Sequence, residues 1–453
     1  MPELDTQTNL SRFAQAAVER LQRVDPELYA ILDNEYRRQA NVLSMVASSS
    51  VADPSALICE ASTAMNVTAE GYPGRRFHAG CRHIDEIEQL AIDRAKKVFK
   101  AQFANVQPMT ATCANEVVMF ATMKPGDTLL GMELDSGGHL THGSKASISG
   151  QVFKAYGYGL DKDERINFDQ AWELAREHKP KLIICGTTAY AREIDWAPFR
   201  EMADEIGAYV LADITHIAGL VAAGVHPSPV DHAHFTTTCT HKQLYGGRGG
   251  LILMGRDADA PGPDGKGTLS GLIQKKVFPF FQGAPNQSSI AAKARAFDFI
   301  GSDEFKVIAR RIVALSRALA QAFVDKGYRV ITGGSDNHIV VVDVAEKGIT
   351  GVNAEKALED CGIVVNKNRI PFDSRPPTVT SGIRLGTNGM AIREMEPADM
   401  VECVDVIDRI LTGTEQLADK EYVISAEAKA AADAAVAVLC RRRPITTYPP
   451  VLD

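Results

Sequence analysis

Three short segments hold residues whose types and spacing can do chemistry. The first is TTTCTHKQLYGGRGGLIL (236–253), where Lys242 stands behind a Thr/His run and ahead of a glycine-rich turn that enters an apolar run. A lysine amine withdrawn from water forms a Schiff base with an aldehyde, whereas a lysine left in water is an ordinary surface charge. The flanking threonines and glycines offer hydroxyl and backbone donors that suit a phosphate, and Arg248 can add a charge-assisted contact. The second segment, LADITHIAGLVAAG (211–224), sets Asp213 at the end of an apolar run, with His216 shortly after it. A carboxylate there either keeps a pyridine-type nitrogen protonated or caps the helix that IAGLVAAG begins. The third, ELDSGGHLTHG (133–143), places His139 and His142 on a glycine turn. An imidazole there stacks on a flat ring, or it is a packed, hydrogen-bonded histidine.

These segments need a frame that brings them together. Apolar runs at 128–134, 181–187, 208–214 and 250–254 read as strands. Amphipathic stretches at 84–100 and 168–178 carry apolar residues at three- and four-residue intervals and read as helices. Their alternation is the signature of βαβ units, so the fold class is α/β with a mainly parallel sheet, and ligands collect at the carboxyl ends of its strands. A Pro/Gly-rich insert at 257–267 reads as an exposed loop. A long helix at 303–327 follows, then short strands in YRVITGG, HIVVVDV, IVVNKN and GIRLGT, and an Ala-rich helix around 426–439. The expected division is an N-terminal helical arm (1–35), a large α/β domain (36–295) and a small α+β domain (296–453).

Composition narrows the function classes. A chain of 453 residues with 45% hydrophobic and 23% charged residues is ordinary globular material with room for a large core. A formal charge of −8 disfavours a general nucleic-acid groove, which needs dense Lys/Arg. No apolar run reaches membrane-spanning length and the opening MPELDTQTNLSRF does not resemble a signal peptide, so neither membrane nor secretion is expected and the default location is cytoplasmic. The eight cysteines show no CxxC pair and no zinc spacing, so free thiols and no metal site are expected.

Beyond these segments, AEGYPGRR (69–76), IEQLAIDRAKKVF (87–99), NVQP (105–108), GGHLTHG (137–143), DITHIAGLVAAGV (213–225), THK (240–242), GGLIL (249–253), VNKN (365–368) and SGIRLGT (381–387) together resemble the serine hydroxymethyltransferase family. The resemblance implies a fold-type-I enzyme with a seven-stranded large-domain sheet. It implies pyridoxal 5'-phosphate held covalently by Lys242, with Asp213 on its ring nitrogen, His216 at its ring hydroxyl and His139 stacked on the ring. Thr110, Ala111, Thr112, Thr188, His241, Arg248 and Gly283 are implied as its remaining contacts, Gly283 coming from a partner subunit. Arg384 and Ser48 are implied at the substrate carboxylate, with Thr68 and His78 beside the substrate. Glu70 is implied as the acid/base carboxylate, also acting across the subunit interface, and Glu70, Phe77, Leu134, Leu140 and Asn368 as contacts of the cosubstrate tetrahydrofolate. A homodimer or dimer of dimers with shared active sites follows from that arrangement.

The departures from the family pattern gather near Glu70. Thr68 stands where the family carries tyrosine ahead of Ala-Glu-Gly, and Arg76-Phe77-His78-Ala79-Gly80 stands for Arg-Tyr-Tyr-Gly-Gly. Ser49 and Ser50 replace a Glu-Asn pair, Phe280 and Phe281 replace a Gly-Gly pair, and Ala111 constrains a backbone where glycine is common. Losing a phenol at position 68 leaves room for an α-methyl group, so 2-methylserine as donor and D-alanine as product are expected. Phe77 keeps an aromatic face for folate. His78 either orients the carboxylate, titrates near neutrality or fills space. Ordinary serine/glycine exchange and a folate-independent aldolase or threonine transaldolase are the alternatives.

Overall fold

The seven strands of the large sheet in this computed structural model are β1 (Phe103–Asn105), β2 (Thr128–Met132), β3 (Lys154–Tyr158), β4 (Leu182–Gly186), β5 (Tyr209–Asp213), β6 (Phe235–Cys239) and β7 (Gly250–Met254). Their order across the sheet is β1-β7-β6-β5-β4-β2-β3. All neighbours are parallel except β7, which runs antiparallel to β1 and β6. The central strands LIICG and FTTTC are buried at every position, as strands covered by helices on both faces must be.

The structure describes residues 8–451, so the first seven residues of the expected arm lie outside it. Two helices, α1 (Asn9–Val24) and α2 (Pro26–Asn41), carry no buried residue. Asp25 caps α2 by accepting from Leu28 N, with proline in the first turn, and no breaker follows before Val42. Helix α2 therefore continues past residue 35, where the arm was expected to end.

Several expected bounds shift for local reasons. The run 128–134 ends as a strand at Met132, because Glu133 and Leu134 turn into a short 3-10 helix (Leu134–Ser136). The runs 181–187 and 208–214 each lose a residue at both ends. Helix α4 (Arg82–Phe99) stops when Lys100 turns left-handed, at φ 54°. The Ala-rich helix extends to Arg442. The insert at 257–267 is mostly exposed but folds back, with Ala258 buried and Pro261 bridging Thr268. The apolar-run criterion passes over β1 and β3, which form the two sheet edges, and over the central β6: β1 has three residues, β3 mixes Lys, Ala and Gly with its tyrosines, and β6 is largely threonine.

The second sheet is antiparallel, with β8 (Arg329–Val330), β9 (Ile339–Asp343), β10 (Asn366–Asn368) and β11 (Gly382–Gly386) in the order β8-β9-β11-β10. Only two residues of YRVITGG are strand, since Thr332 takes φ 65°. The sequence position 296 falls inside the helix Gln287–Ile300, which packs on α3 (Pro54–Glu60) and α4. Leu43–Ser44 in turn pair with Ile363–Val364, tying the segment after the arm to the second sheet's surroundings.

Lys293, on the helix Gln287–Ile300, is buried. Its Nζ donates to Val106 O at 2.6 Å, Pro108 O at 3.0 Å and Gly250 O at 3.0 Å. Burial pulls its ammonium down to about 7. A Cβ on Gly249 would lie 2.1 Å from its Cε, so glycine is required there for the lysine to pass. This one side chain ties β1, β7 and the turn ahead of α5 (Ala111–Thr122) together.

Candidate active site

The chemistry-bearing segments converge at the carboxyl ends of parallel strands. Asp213 ends β5, Lys242 lies just past β6, His139 and His142 lie on a turn past β2, and Thr188 lies past β4. Gly186, the register partner of Asp213, has φ 130°, and a Cβ there would come within 2.1 Å of Asp213 O. Only glycine lets the two strand ends close up beside the acid.

Asp213 is buried, and both of its oxygens are engaged. Oδ2 accepts from Asn115 Nδ2 at 2.8 Å and from His142 Nε2 at 3.2 Å, while Oδ1 accepts from Thr215 N at 3.0 Å. It is not a helix cap, because the next short helix, Ala218–Ala222, is entered through Ile217 with no side-chain cap. Burial pushes the carboxyl up. The His142 hydrogen bond, with the electrostatic pull of the two histidines and the Thr215 contact, outweighs this and holds it well below the usual carboxylate range.

Sequence reasoning missed two partners of this acid. Asn115, on α5, carried no motif signal. It also donates to Thr141 Oγ1 at 2.9 Å and accepts from the Thr237 hydroxyl. His142 was visible on the same turn as His139 but had no role. His139, His142 and Asp213 offer donor atoms within 4.8 Å of one another, the spacing of a metal trio. However, His142 Nδ1 accepts from the His139 backbone N–H at 3.3 Å, so its proton sits on Nε2 and is given to Asp213. The trio is thus hydrogen-bonded internally. His139 Nδ1 likewise accepts from Thr141 N at 3.2 Å.

Lys242 Nζ lies 2.9 Å from His216 Nε2. Burial lowers the lysine, as do the Arg384 and Arg248 charges, against an opposite pull from Cys239 and Asp213. The net effect enlarges the neutral, nucleophilic fraction. His216 stacks on His338 with centroids 5.6 Å apart and planes at 16°. His338 Nε2 in turn donates to Ala47 O at 3.1 Å, and Ser50 Oγ donates to His241 O at 2.9 Å. The segment holding Ser48 is thereby fastened to both neighbours of the lysine.

Arg384, on β11, is 9% exposed. Its Nε donates to Asn366 Oδ1 at 3.1 Å and its Nη1 to Thr188 O. Only burial acts on it, pulling it to about 10, with no carboxylate beside it. A buried guanidinium without an acidic partner is a receptor for an anion. Thr110 caps α5 by accepting from Cys113 N at 3.0 Å, and Ala111 and Thr112 form the first turn, which holds no acidic residue. That helix start carries free N–H groups and positive dipole charge.

A second group of expected residues shares no hydrogen bond with the Lys242 side chain among the described residues. Thr68, Phe77, His78 and Gly283 are exposed, Phe77 by 76%. Phe77 N donates to Glu70 O at 3.1 Å, and a Cβ on Gly283 would approach Glu70 Oε1 to 3.2 Å, so these residues form one outward-facing patch. Leu134 and Leu140 are exposed on the turns around His139, Arg248 is exposed past the lysine, and Asn368 donates to Arg369 O at 2.6 Å.

The residues fit a pyridoxal phosphate. Thr215 Oγ1, His216 Nδ1 and His241 Nδ1 are buried without a partner, all on residues adjoining Asp213 or Lys242. Buried polar atoms are normally paired, so orphans around an amine and an acid mark where a polar ligand completes the network. The cofactor-free protein should lose stability on mild acidification. Burial holds His139 and His241 to about 4 and His338 to about 3. The unfolded chain binds these protons near 6.5, so the stability the neutral rings carry fades as pH falls from there toward 4. The slope is about 1.4 kcal/mol per pH unit for each proton withheld. Denaturant midpoints measured from pH 8 to 4 check this, and a flat profile would contradict it.

Residues 21–407 match the model of the serine hydroxymethyltransferase family. The chain belongs to that family. It is accordingly a pyridoxal-phosphate-dependent hydroxymethyltransferase, of a family with the fold-type-I architecture that uses tetrahydrofolate as cosubstrate. The matched span covers both sheets and every residue discussed at the site. No helix among the described residues is long and apolar enough to cross a membrane.

Proposed function

We propose that this hydroxymethyltransferase converts 2-methylserine and tetrahydrofolate to D-alanine, 5,10-methylenetetrahydrofolate and water. The observation that carries the reading is Thr68, where the family places a tyrosine ahead of Ala69-Glu70-Gly71. The smaller side chain gives an α-methyl group room. An extra methylene in a pocket is worth about 1–3 kcal/mol of discrimination.

Pyridoxal phosphate, when bound, supplies an electron sink for the bond to the hydroxymethyl carbon. The chain's own groups do the rest. Lys242 would supply the amine that holds the cofactor. Asp213, ionised and fixed by Asn115 and His142, keeps a proton on the ring nitrogen. His139 and His216 bound the ring, and the first turn of α5 takes the phosphate. Arg384 grips the substrate carboxylate in a two-pronged contact, with Ser48 nearby. Glu70 moves protons between amino acid and folate, whose contacts are Phe77, Leu134, Leu140 and Asn368.

In this reading the working unit is a homodimer. The exposure of Thr68, Phe77, His78 and Gly283 in the single chain supports it, since these residues then complete the partner's site. Their apolar surroundings support it as well, with Met65 61%, Phe280 56% and Met109 59% exposed.

The test is a panel of 2-methylserine, L-serine, glycine, D-alanine and L-threonine, each with and without tetrahydrofolate. Folate-dependent turnover of 2-methylserine above L-serine is expected. Thr68→Tyr should move the preference toward serine by roughly ten- to a hundredfold. A wild-type enzyme that prefers serine is an ordinary serine hydroxymethyltransferase, and one indifferent to folate is an aldolase or transaldolase.

A further inference from the structure

The Glu70 carboxylate has no hydrogen-bond partner among the described residues, yet the backbone around it is fully engaged. Ala69 O accepts from Arg76 Nη1 at 3.0 Å, and Gly71 O accepts from Arg76 Nη1 at 2.8 Å and Gln107 Nε2 at 2.8 Å. The carbonyl between them, Glu70 O, accepts from Phe77 N at 3.1 Å. Arg76 is itself fixed by Glu88 Oε2 at 2.6 Å and Asp85 Oδ1 at 2.8 Å, and the other Glu88 oxygen accepts from Gln107 Nε2 at 2.7 Å. The Arg76 and Glu88 side chains are 3% and 1% exposed.

A buried ion pair adds little stability compared with apolar packing, so its value here is geometric. Glu70 sits beside a two-residue strand pairing, Gly71–Tyr72 with Arg75–Arg76, too short to hold a loop rigid. A planar guanidinium can hold two carbonyls and two carboxylates at once, which a lysine ammonium cannot do. The network also reaches the other residue expected to serve the partner's site. Gln282 Nε2 donates to Gln107 O at 3.0 Å, and Gly283 follows Gln282 directly.

We infer that Arg76, locked by Glu88, is a positioning residue for hydroxymethyl transfer, fixing the Glu70 carboxylate through the carbonyls on either side of it. This rests on Glu70 being the proton-handling group. Arg76→Lys keeps a cation beside Glu88 and gives up the fork. In the cofactor-loaded enzyme it should lower kcat for folate-dependent transfer by roughly ten- to a hundredfold, the cost of misplacing a reacting group by about an ångström. The KM for the amino acid and the cofactor absorbance should stay unchanged.

The deciding measurement is a double-mutant cycle with Glu70→Gln. Once Glu70→Gln is in place, adding Arg76→Lys should change kcat by no more than about twofold. Losses that multiply would overturn the proposal, because Arg76 would then act independently of Glu70. If Glu70→Gln alone keeps full turnover, the reading of Glu70 fails by itself and the proposal falls with it. Should Arg76→Lys fail to fold, Asp85→Asn loosens the same arginine from a side chain that is 26% exposed, and the same cycle applies.

Discussion

Lys242→Ala is expected to lower kcat for hydroxymethyl transfer at least about a thousandfold, the scale on which removal of a covalent participant acts. The loss has two parts. The amine that anchors the cofactor disappears, and His216 Nε2, 2.9 Å from it, joins His216 Nδ1 as a second unpaired nitrogen on a buried ring. The measurement is turnover together with the visible absorbance of the loaded enzyme and, after borohydride reduction, the mass of the peptide holding residue 242. Wild-type protein should carry the cofactor's mass there and the variant should not. A variant that kept both the band and a mass tag on another residue would move the anchor elsewhere.

Asp213→Asn should cost about 10² to 10³ in kcat, the usual price of removing a preorganised charge from a developing one. The amide is isosteric, so the effect is not one of shape. It also cannot satisfy the acid's neighbours. With its NH2 toward Asn115 and His142 it sets donor against donors, and turned the other way it meets Thr215 N–H. A loss of roughly 1–3 kcal/mol in stability should accompany the loss of rate. Kinetics and thermal unfolding of the loaded and cofactor-free forms separate the two effects. Unchanged kcat would remove Asp213 from the chemistry.

Much of this was legible in the sequence because the site residues sit at the ends of apolar runs. The runs ending near Asp213 and preceding His139 are strands, and a parallel sheet brings their carboxyl ends together whatever the details, whereas the strand preceding Lys242, mostly threonine, was not read as one. Residues supporting those groups from elsewhere were not legible. Asn115 lies mid-helix with ordinary neighbours, and its pairing with Asp213, 98 residues away, is a fact of packing that no local pattern carries. Lys293 lies in QSSIAAKARAFDFI, where no local feature marks it for burial. The outward patch of Thr68, Phe77 and His78 shows a different limit. The family pattern assigned these residues to the site, and within one chain they lie exposed on its surface.

The way Lys293 fastens the turn ahead of α5 also bears on how the molecule is made. It lies 187 residues beyond Val106, and β1 pairs only with β7, so the ties that Gln107 makes to Gly71 and Glu88 form first and the ones from Gly250 and Lys293 come late. A ribosome that has delivered β1 through β6 has exposed the acid, the histidines and most of the sheet, with one wall of the pocket still loose. Long-range closures of this kind are slow steps and leave incomplete sheets open to misassociation. A chain released before residue 293 therefore lacks the last tie on this turn and should need chaperones.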